Sequence, residues 1–533
     1  MMMRGWDRSR GATALGAIVA IFFLGRALAA ESGLGQIEFA TSAKSQDAQA
    51  HFERGVAALH SFWYSVALEE FRAASRIEPD FAMAYWGEAM AHNHPVWGDP
   101  QNFEAAREVL SRMPAAASSI SAREQAYVDA VRALYGAGEK HERDRAYASA
   151  MEKLYQSYPD DVEAAAFYSL ALLGLAYGGG SPDAAAPRDA SALRNRMRAA
   201  AIAQEVLRVK PEHPGATHYL IHAFDDPDHA VLALNAARRY ADIAPAAPHA
   251  LHMPSHIFLQ LGMWPEAIES NKAAWQASLT IEAPDFHSLH WLLYCLLQQN
   301  RSSEAEPLLA TIRDHLAKGS KDGVRHAMFG AWLEATMAAT YVIETGRWSE
   351  AASLLPEQSA AARRNSQQAP ATQKTPPLGG DAGSSRAFAA LVRAPVVFAR
   401  GYAAAMTGTG DVRQAIATLE KTRGQLAQVK IPLAARLAPV LEVQAIELSA
   451  LDSANRGRMD EAIATIRRAT ELEERMPVPP GPPPVIKPSH ELAGELLLKA
   501  GRKDEAAQAF ESSLFRHPGR AASLEGAREA RKK

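Results

Sequence analysis

A recurring set of small, aromatic and helix-ending residues constrains this chain more than any other feature. Gly55, Ala67, Phe71, Ala74 and Pro79 form one such set. Parts of the pattern return as Gly262, Trp264, Ala267 and Ala274, as Gly346, Trp348 and Ala351, and as Gly410, Val412 and Ala415. They return again as Gly457, Met459, Ala462 and Ala469, and as Gly494, Gly501, Ala506, Phe510 and Pro518. The physical sense is local. Small residues let two helices approach, an aromatic ring fills the gap between them, and proline stops the second helix. A chain built this way is a string of helix-turn-helix units that bury their apolar faces only against one another. Histidines follow a matching rhythm: His222, His256 and His290 are each 34 residues apart, and His218 to His252 is another such step.

On these residues the chain resembles a tetratricopeptide repeat protein over most of 48–520, a family with a 34-residue period. The resemblance implies an all-α, TPR-like α-solenoid superhelix of antiparallel helix pairs whose concave groove contacts ligands. Weaker units fit Ala199–Pro211, Ala233–Pro245 and Asn300–Ala305, giving roughly nine or ten pairs with irregular ones between Phe103 and Tyr177. The segment from His249 through His252, Met253, Pro254 and His256 to Gly262 resembles a subgroup of exported bacterial repeat proteins with no assigned function.

The N-terminus carries a different signal. Arg4, Arg8 and Arg10 precede the uncharged run Gly11–Gly25, and Ala27-Leu28-Ala29 closes it. This is the layout of a secretory signal peptide over 1–29, with an apolar core too short for a membrane span. The segment holds four arginines against one aspartate, so cleavage takes the formal net charge from −3 to −6. A mildly acidic product that is periplasmic or secreted gives no reason to expect nucleic acid or, after cleavage, a membrane. The single cysteine, Cys295, lies in an apolar run and reads as a core residue.

Expected boundaries follow: signal peptide 1–29; repeats over 30–355, with the histidine-rich units at 213–300; a low-complexity loop at 356–386; and repeats over 387–520. A loop of seven prolines at 477–488 is stiff enough to lie over the array as a strap, and a basic capping helix and tail occupy 521–533.

Of 18 histidines, 9 lie between His213 and His290. Anchored on the repeat motif, His249 and His287 take position 2 of a first helix. His218, His252 and His290 take position 5, and His222 and His256 take position 9. Positions 2, 5 and 9 share one helical stripe. This register needs four extra residues near Glu282–Asp285. Asp225 and Asp226 could supply oxygens beside the rings. Three uses compete: a buried polar network that fixes repeat stacking, a ligand-binding groove, and a transition-metal site such as zinc. No His-Glu-x-x-His occurs, since Tyr219-Leu220-Ile221 and Met253-Pro254-Ser255 fill the triplets, so the zinc-protease signature is absent. No catalytic residue and no firm cofactor is expected. The favoured reading is an exported scaffold that binds a protein or peptide partner in its groove; the alternative is a metal-binding protein or metal-dependent enzyme built on the histidines.

Overall fold

Two of the repeats close around an aromatic ring flanked by glycine. In a computed structural model that describes residues 33–96, 101–114, 120–177, 190–281, 284–318, 323–356, 382–429 and 432–532, Phe71 is fully buried on the helix Tyr64–Ile77. A Cβ added at Gly55, on the preceding helix Gln46–His60, would lie 2.7 Å from its ring, and one added at Gly87, on the following helix Ala82–Met90, 2.3 Å. Phe510 repeats the arrangement between Gly494 and Gly526. The aromatic therefore locks three successive helices, and glycine is what lets the backbones approach it. Gly87→Ala is expected to overpack Phe71 and cost about 1–3 kcal/mol, read as a lower midpoint in urea unfolding; an unchanged midpoint would mean the ring has room to move.

The other motif positions behave in the same way. Ala67, Ala74, Ala267, Ala274, Ala462, Ala469 and Ala506 are all fully buried. The turn glycines Gly262, Gly457 and Gly501 have φ of 67°, 74° and 76°, the left-handed conformation that ends one helix and starts the next. The described residues form α- and 3-10 helices and no strand. The fold is all-α, made of tetratricopeptide-type helix pairs.

The chain divides into two compact units. The first comprises Met1–Gly180, Arg194–Ala223 and Arg238–Leu251; the second comprises Ser181–Leu193, Phe224–Ala237 and His252–Lys533. Helices Gly323–Thr345 and Ala382–Thr407, which flank residues 357–381, pack together within the second unit. The second of these helices also begins inside the expected loop. The signal-peptide segment 1–29, the loop 178–187 and residues 357–381 lie outside the described residues.

In the first unit, the stretch before the first repeat is not idle. Leu34, Ile37 and Phe39 are buried. The Phe39 ring packs 5.2 Å from Phe52, 5.8 Å from Trp86 and 5.1 Å from Tyr127.

In the second unit, Arg520 is 1% exposed. Its Nε donates to Glu491 Oε2 at 2.7 Å, and one terminal nitrogen donates to Glu491 Oε1 at 3.0 Å and Glu344 Oε1 at 2.6 Å. Lys487 Nζ, at the end of the proline run, donates to Glu491 Oε1 at 2.9 Å. The tail 521–533 was expected only to cap the array. Its helix Ala521–Ala530 does pack on the last repeat, but Arg520 just before it is an interior ion. Among the described helices, 386–407 is long and apolar enough to cross a membrane by length and composition alone. Phe398, Ala399 and Tyr402 of this helix are buried among its neighbours, so packing on several sides accounts for its hydropathy.

Candidate metal centre

Among the described residues, three clusters of metal-ligating side chains lie within the two units, and hydrogen-bond chemistry separates them. In each cluster the candidate ligand atoms lie within 4.8 Å of one another. The second unit holds His252, His256 and His287; the first holds His218, His222 and His249, and also His60, Glu163 and His213.

The second-unit triad depends on a broken helix. The helix Pro248–His252 ends where Pro254 begins the helix Pro254–Gln260. Proline cannot continue the hydrogen-bond ladder, but it is tolerated in a first turn. Met253 keeps right-handed helical dihedrals (φ −55°, ψ −35°), so His252 and His256 stay one turn apart across the break. His287 comes from the helix Phe286–Gln298 of the next repeat, whose start is capped by Asp285 accepting from the main-chain N–H of His287 and Ser288. The four-residue insertion expected near Glu282–Asp285 sits just before that cap, and residues 282–283 lie outside the described set.

The proton positions follow from the partners. His252 Nδ1 lies 2.8 Å from Asn271 Oδ1. The amide is oriented by its own Nδ2, which donates to the Ala267 carbonyl at 2.8 Å, so Oδ1 is the acceptor and His252 Nδ1 the donor. His256 Nδ1 lies 2.7 Å from Asp225 Oδ2, and a carboxylate only accepts. Both neutral rings therefore carry their proton on Nδ1 and present Nε2 lone pairs. Those two Nε2 atoms are 3.1 Å apart. Two lone pairs at that distance repel unless a cation stands between them. The ring of Trp291 packs on all three imidazoles, with centroids 4.9, 4.4 and 5.3 Å from those of His252, His256 and His287. Burial pushes His287 down to about 4, against the upward pull of Asp285, so this ring is neutral and a competent ligand at neutral pH.

The proline run does form a strap here. Gln260 Nε2 donates to the Pro479 carbonyl at 3.0 Å. Gly481 lies flat on Trp291, where a Cβ would come within 2.2 Å of the indole.

The first-unit triad uses the same repeat positions. His218 and His222 are one turn apart on the helix Pro214–Ala223, and His249 lies on Pro248–His252. His218 Nδ1 donates to the main-chain carbonyl of His60 at 2.7 Å, and its Nε2 faces His249 Nε2 at 3.1 Å. One aromatic ring again touches all three imidazoles: Phe62 lies 4.4 Å from His218, 5.7 Å from His222 and 5.6 Å from His249.

The third cluster is closed by its own hydrogen bonds. The Ala216 N–H donates to His213 Nδ1 at 3.0 Å, which puts the ring proton on Nε2, 3.2 Å from Glu163 Oε1. Tyr219 OH lies 2.7 Å from His60 Nδ1, and His60 Nε2 lies 2.8 Å from Glu163 Oε2. Every proton has an acceptor. Burial pushes His60 down, and Glu163 beside it only partly restores it. Burial would raise the Glu163 carboxyl, but His213 and His60 override that and hold it well below the usual carboxylate range. This is the buried polar network weighed from sequence, but built from His60, Glu163 and His213 rather than from the periodic histidines. His213→Ala should cost about 1–3 kcal/mol in thermal unfolding, by taking one donor from a buried carboxylate; a neutral result would mean Tyr219 and His60 suffice.

The sequence-selected residues thus sort by place. His218, His222, His252, His256 and His290 are buried, while His249 and His287 are half-buried. Asp225 supports His256. Asp226 instead accepts from the main-chain N–H of Asp228 and His229 and from the His229 ring, shaping a turn. His290 joins neither triad: Tyr294 stands one turn on, where the other two helices carry a second histidine. Burial, with His287 nearby, pushes His290 down to about 3. Cys295 is buried and its thiol is pushed up by that burial. Asn271, Phe62 and Trp291 were missed from sequence. Of these, only Trp291, one helical turn from His287, carried a positional signal.

No protein-family model matches the sequence, and no curated protein matches it. Solved structures similar to it include a human IFIT1 dimer with m7Gppp-AAAA (14% identity, 85% of this chain and 94% of that chain, TM-score 0.35). Yeast Tom70 is similar at 11% identity over 88% of this chain and 93% of that one, with a TM-score of 0.37. The P58(IPK) TPR domain is similar at 14% identity over 91% and 97%, with a TM-score of 0.21. Scores this low carry no argument about function. The comparisons lend no support to the charge-based expectation of no nucleic acid. The repeat assignment rests on this chain's own packing.

Proposed function

We propose that this chain is a transition-metal-binding helical-repeat protein, and that His252, His256 and His287 hold a divalent ion such as Zn2+. The observation that carries the reading is the pair of facing Nε2 atoms at 3.1 Å, with both Nδ1 atoms already donating to Asn271 and Asp225. A single added proton could bridge two nitrogens. A third ring, His287, with a nitrogen within 4.8 Å of both, favours a metal ion. Bonds of about 2.0–2.1 Å to nitrogens this far apart subtend roughly 95–100° at the ion, which tetrahedral and five-coordinate sites accept. Asp225 behind His256 and Asn271 behind His252 fix ring orientation and tautomer, as the outer partners of metal-bound histidines do.

The reading stops at binding. A metalloenzyme needs an acid or base aimed at the ion's remaining position, and the carboxylates beside these rings are committed as supports: Asp225 to His256, Asp285 to the helix start. The signal-peptide pattern of 1–29 supports a periplasmic or secreted setting. A protein or peptide partner remains a separate proposal that rests on the repeat fold alone.

Equilibrium dialysis of the full chain against Zn2+, after chelator treatment, tests the proposal. Bound zinc that disappears in His252→Ala supports it. At free zinc about a hundredfold above Kd, the metal should stabilise the chain by about 2.7 kcal/mol, seen as a higher thermal midpoint that EDTA reverses. No zinc retained, with the midpoint unmoved, would assign the facing nitrogens to a shared proton instead.

A further inference from the structure

We infer that the first unit carries a second metal site, at His218, His222 and His249, and that it binds the same class of ion more weakly than the second unit does. The inference rests on the metal reading of the second unit but stands on separate residues.

Three observations carry it. The ligands occupy the same repeat positions as the other triad, 5 and 9 of one first helix and 2 of the next. His218 has its proton fixed on Nδ1 by the His60 carbonyl, so its Nε2 presents a lone pair to His249 Nε2 at 3.1 Å. The third is backbone strain. Phe62 has a φ of 53°, in the left-handed region, at the turn where Gly262, Gly346, Gly457 and Gly501 stand in other repeats. A bulky residue pays a conformational penalty there that glycine does not. Its ring is what that penalty secures: it lies against all three imidazoles.

The ranking comes from the supports. In the second unit a buried carboxylate, Asp225, backs one ligand and offsets part of the ion's charge. In the first unit the support of His218 is a neutral main-chain carbonyl. A dipole gives an imidazole less basicity than a full negative charge does, and outer partners of this kind change metal affinity by about 10–100-fold. The chain then has one retaining site and one exchanging site for the same ion.

The test is a titration of the full, metal-stripped chain with Zn2+ in competition with a chromophoric chelator. Wild type should take two ions with affinities about 10–100-fold apart. His249→Ala should lose only the weaker ion and His287→Ala only the tighter; both side chains are half-buried, so the fold should survive, and circular dichroism checks it. Should either alanine variant unfold, His249→Gln or His287→Gln replaces it. Phe62→Gly should relieve the turn yet weaken only the weaker site. His213→Ala should change neither. One ion in wild type, lost in His287→Ala and kept in His249→Ala, would overturn this inference and leave the second-unit reading intact. Two equal affinities would overturn the ranking, and no bound zinc would overturn both.

Discussion

Asp225→Ala is expected to lower the affinity of the second unit for Zn2+ about 10–100-fold, although Asp225 meets the His256 ring at Nδ1, 2.7 Å away, and not at the Nε2 that faces His252. The carboxylate does two things. It holds the His256 proton on Nδ1, which keeps the lone pair on Nε2, and it makes that nitrogen more basic. Asp225→Asn keeps an acceptor and removes the charge, so it should fall between wild type and alanine. A purely structural role would predict lower stability with unchanged zinc affinity in the folded fraction, and competition titration separates the two.

Glu491→Gln should destabilise the C-terminal repeats by about 3–5 kcal/mol, the usual result of breaking one side of a buried ion pair. Arg520 would keep Glu344 but lose its bidentate partner, and Lys487 would lose one of its acceptors. Burial alone would raise the Glu491 carboxyl, yet Arg520 and Lys487 hold it well below the usual carboxylate range. A depressed folded-state value contributes stability that is full above the unfolded value near 4.3 and is lost as pH falls through the folded one. The wild-type C-terminal repeats should therefore lose this contribution progressively as pH falls below about 4.3 toward the depressed folded value, and the glutamine variant should lose that dependence. Hydrogen exchange across residues 489–530 reads both effects. Equal protection in the variant would mean Glu344 alone compensates Arg520.

The repeat was legible because its requirements are local and periodic. An alanine such as Ala67 or Ala267 is forced by helix approach, and a ring such as Phe71 by the gap that approach leaves. The site was legible only as a stripe. Positions 2, 5 and 9 could be read from spacing, but which of them meet is a matter of packing between successive first helices. Hence His290, on the stripe, takes no part, while Asn271 and Phe62, off it, fix a tautomer and a wall. The His60–Glu163–His213 network had no periodic signal: His60 and Glu163 lie on two separate helices, His213 lies just before a third, and they share no period. Arg520 reads as an ordinary surface cation in a basic tail. Its burial depends on Glu491 and Glu344, which the sequence does not connect to it.

Zinc K-edge X-ray absorption on the loaded full chain tests the central claim most directly. The account predicts a first shell dominated by about three imidazole nitrogens at roughly 2.0–2.1 Å, with the outer-shell scattering of histidine rings, lost on loading at one equivalent in a His252→Ala, His256→Ala, His287→Ala chain that also lacks His249. An oxygen-only shell without ring scattering would contradict it.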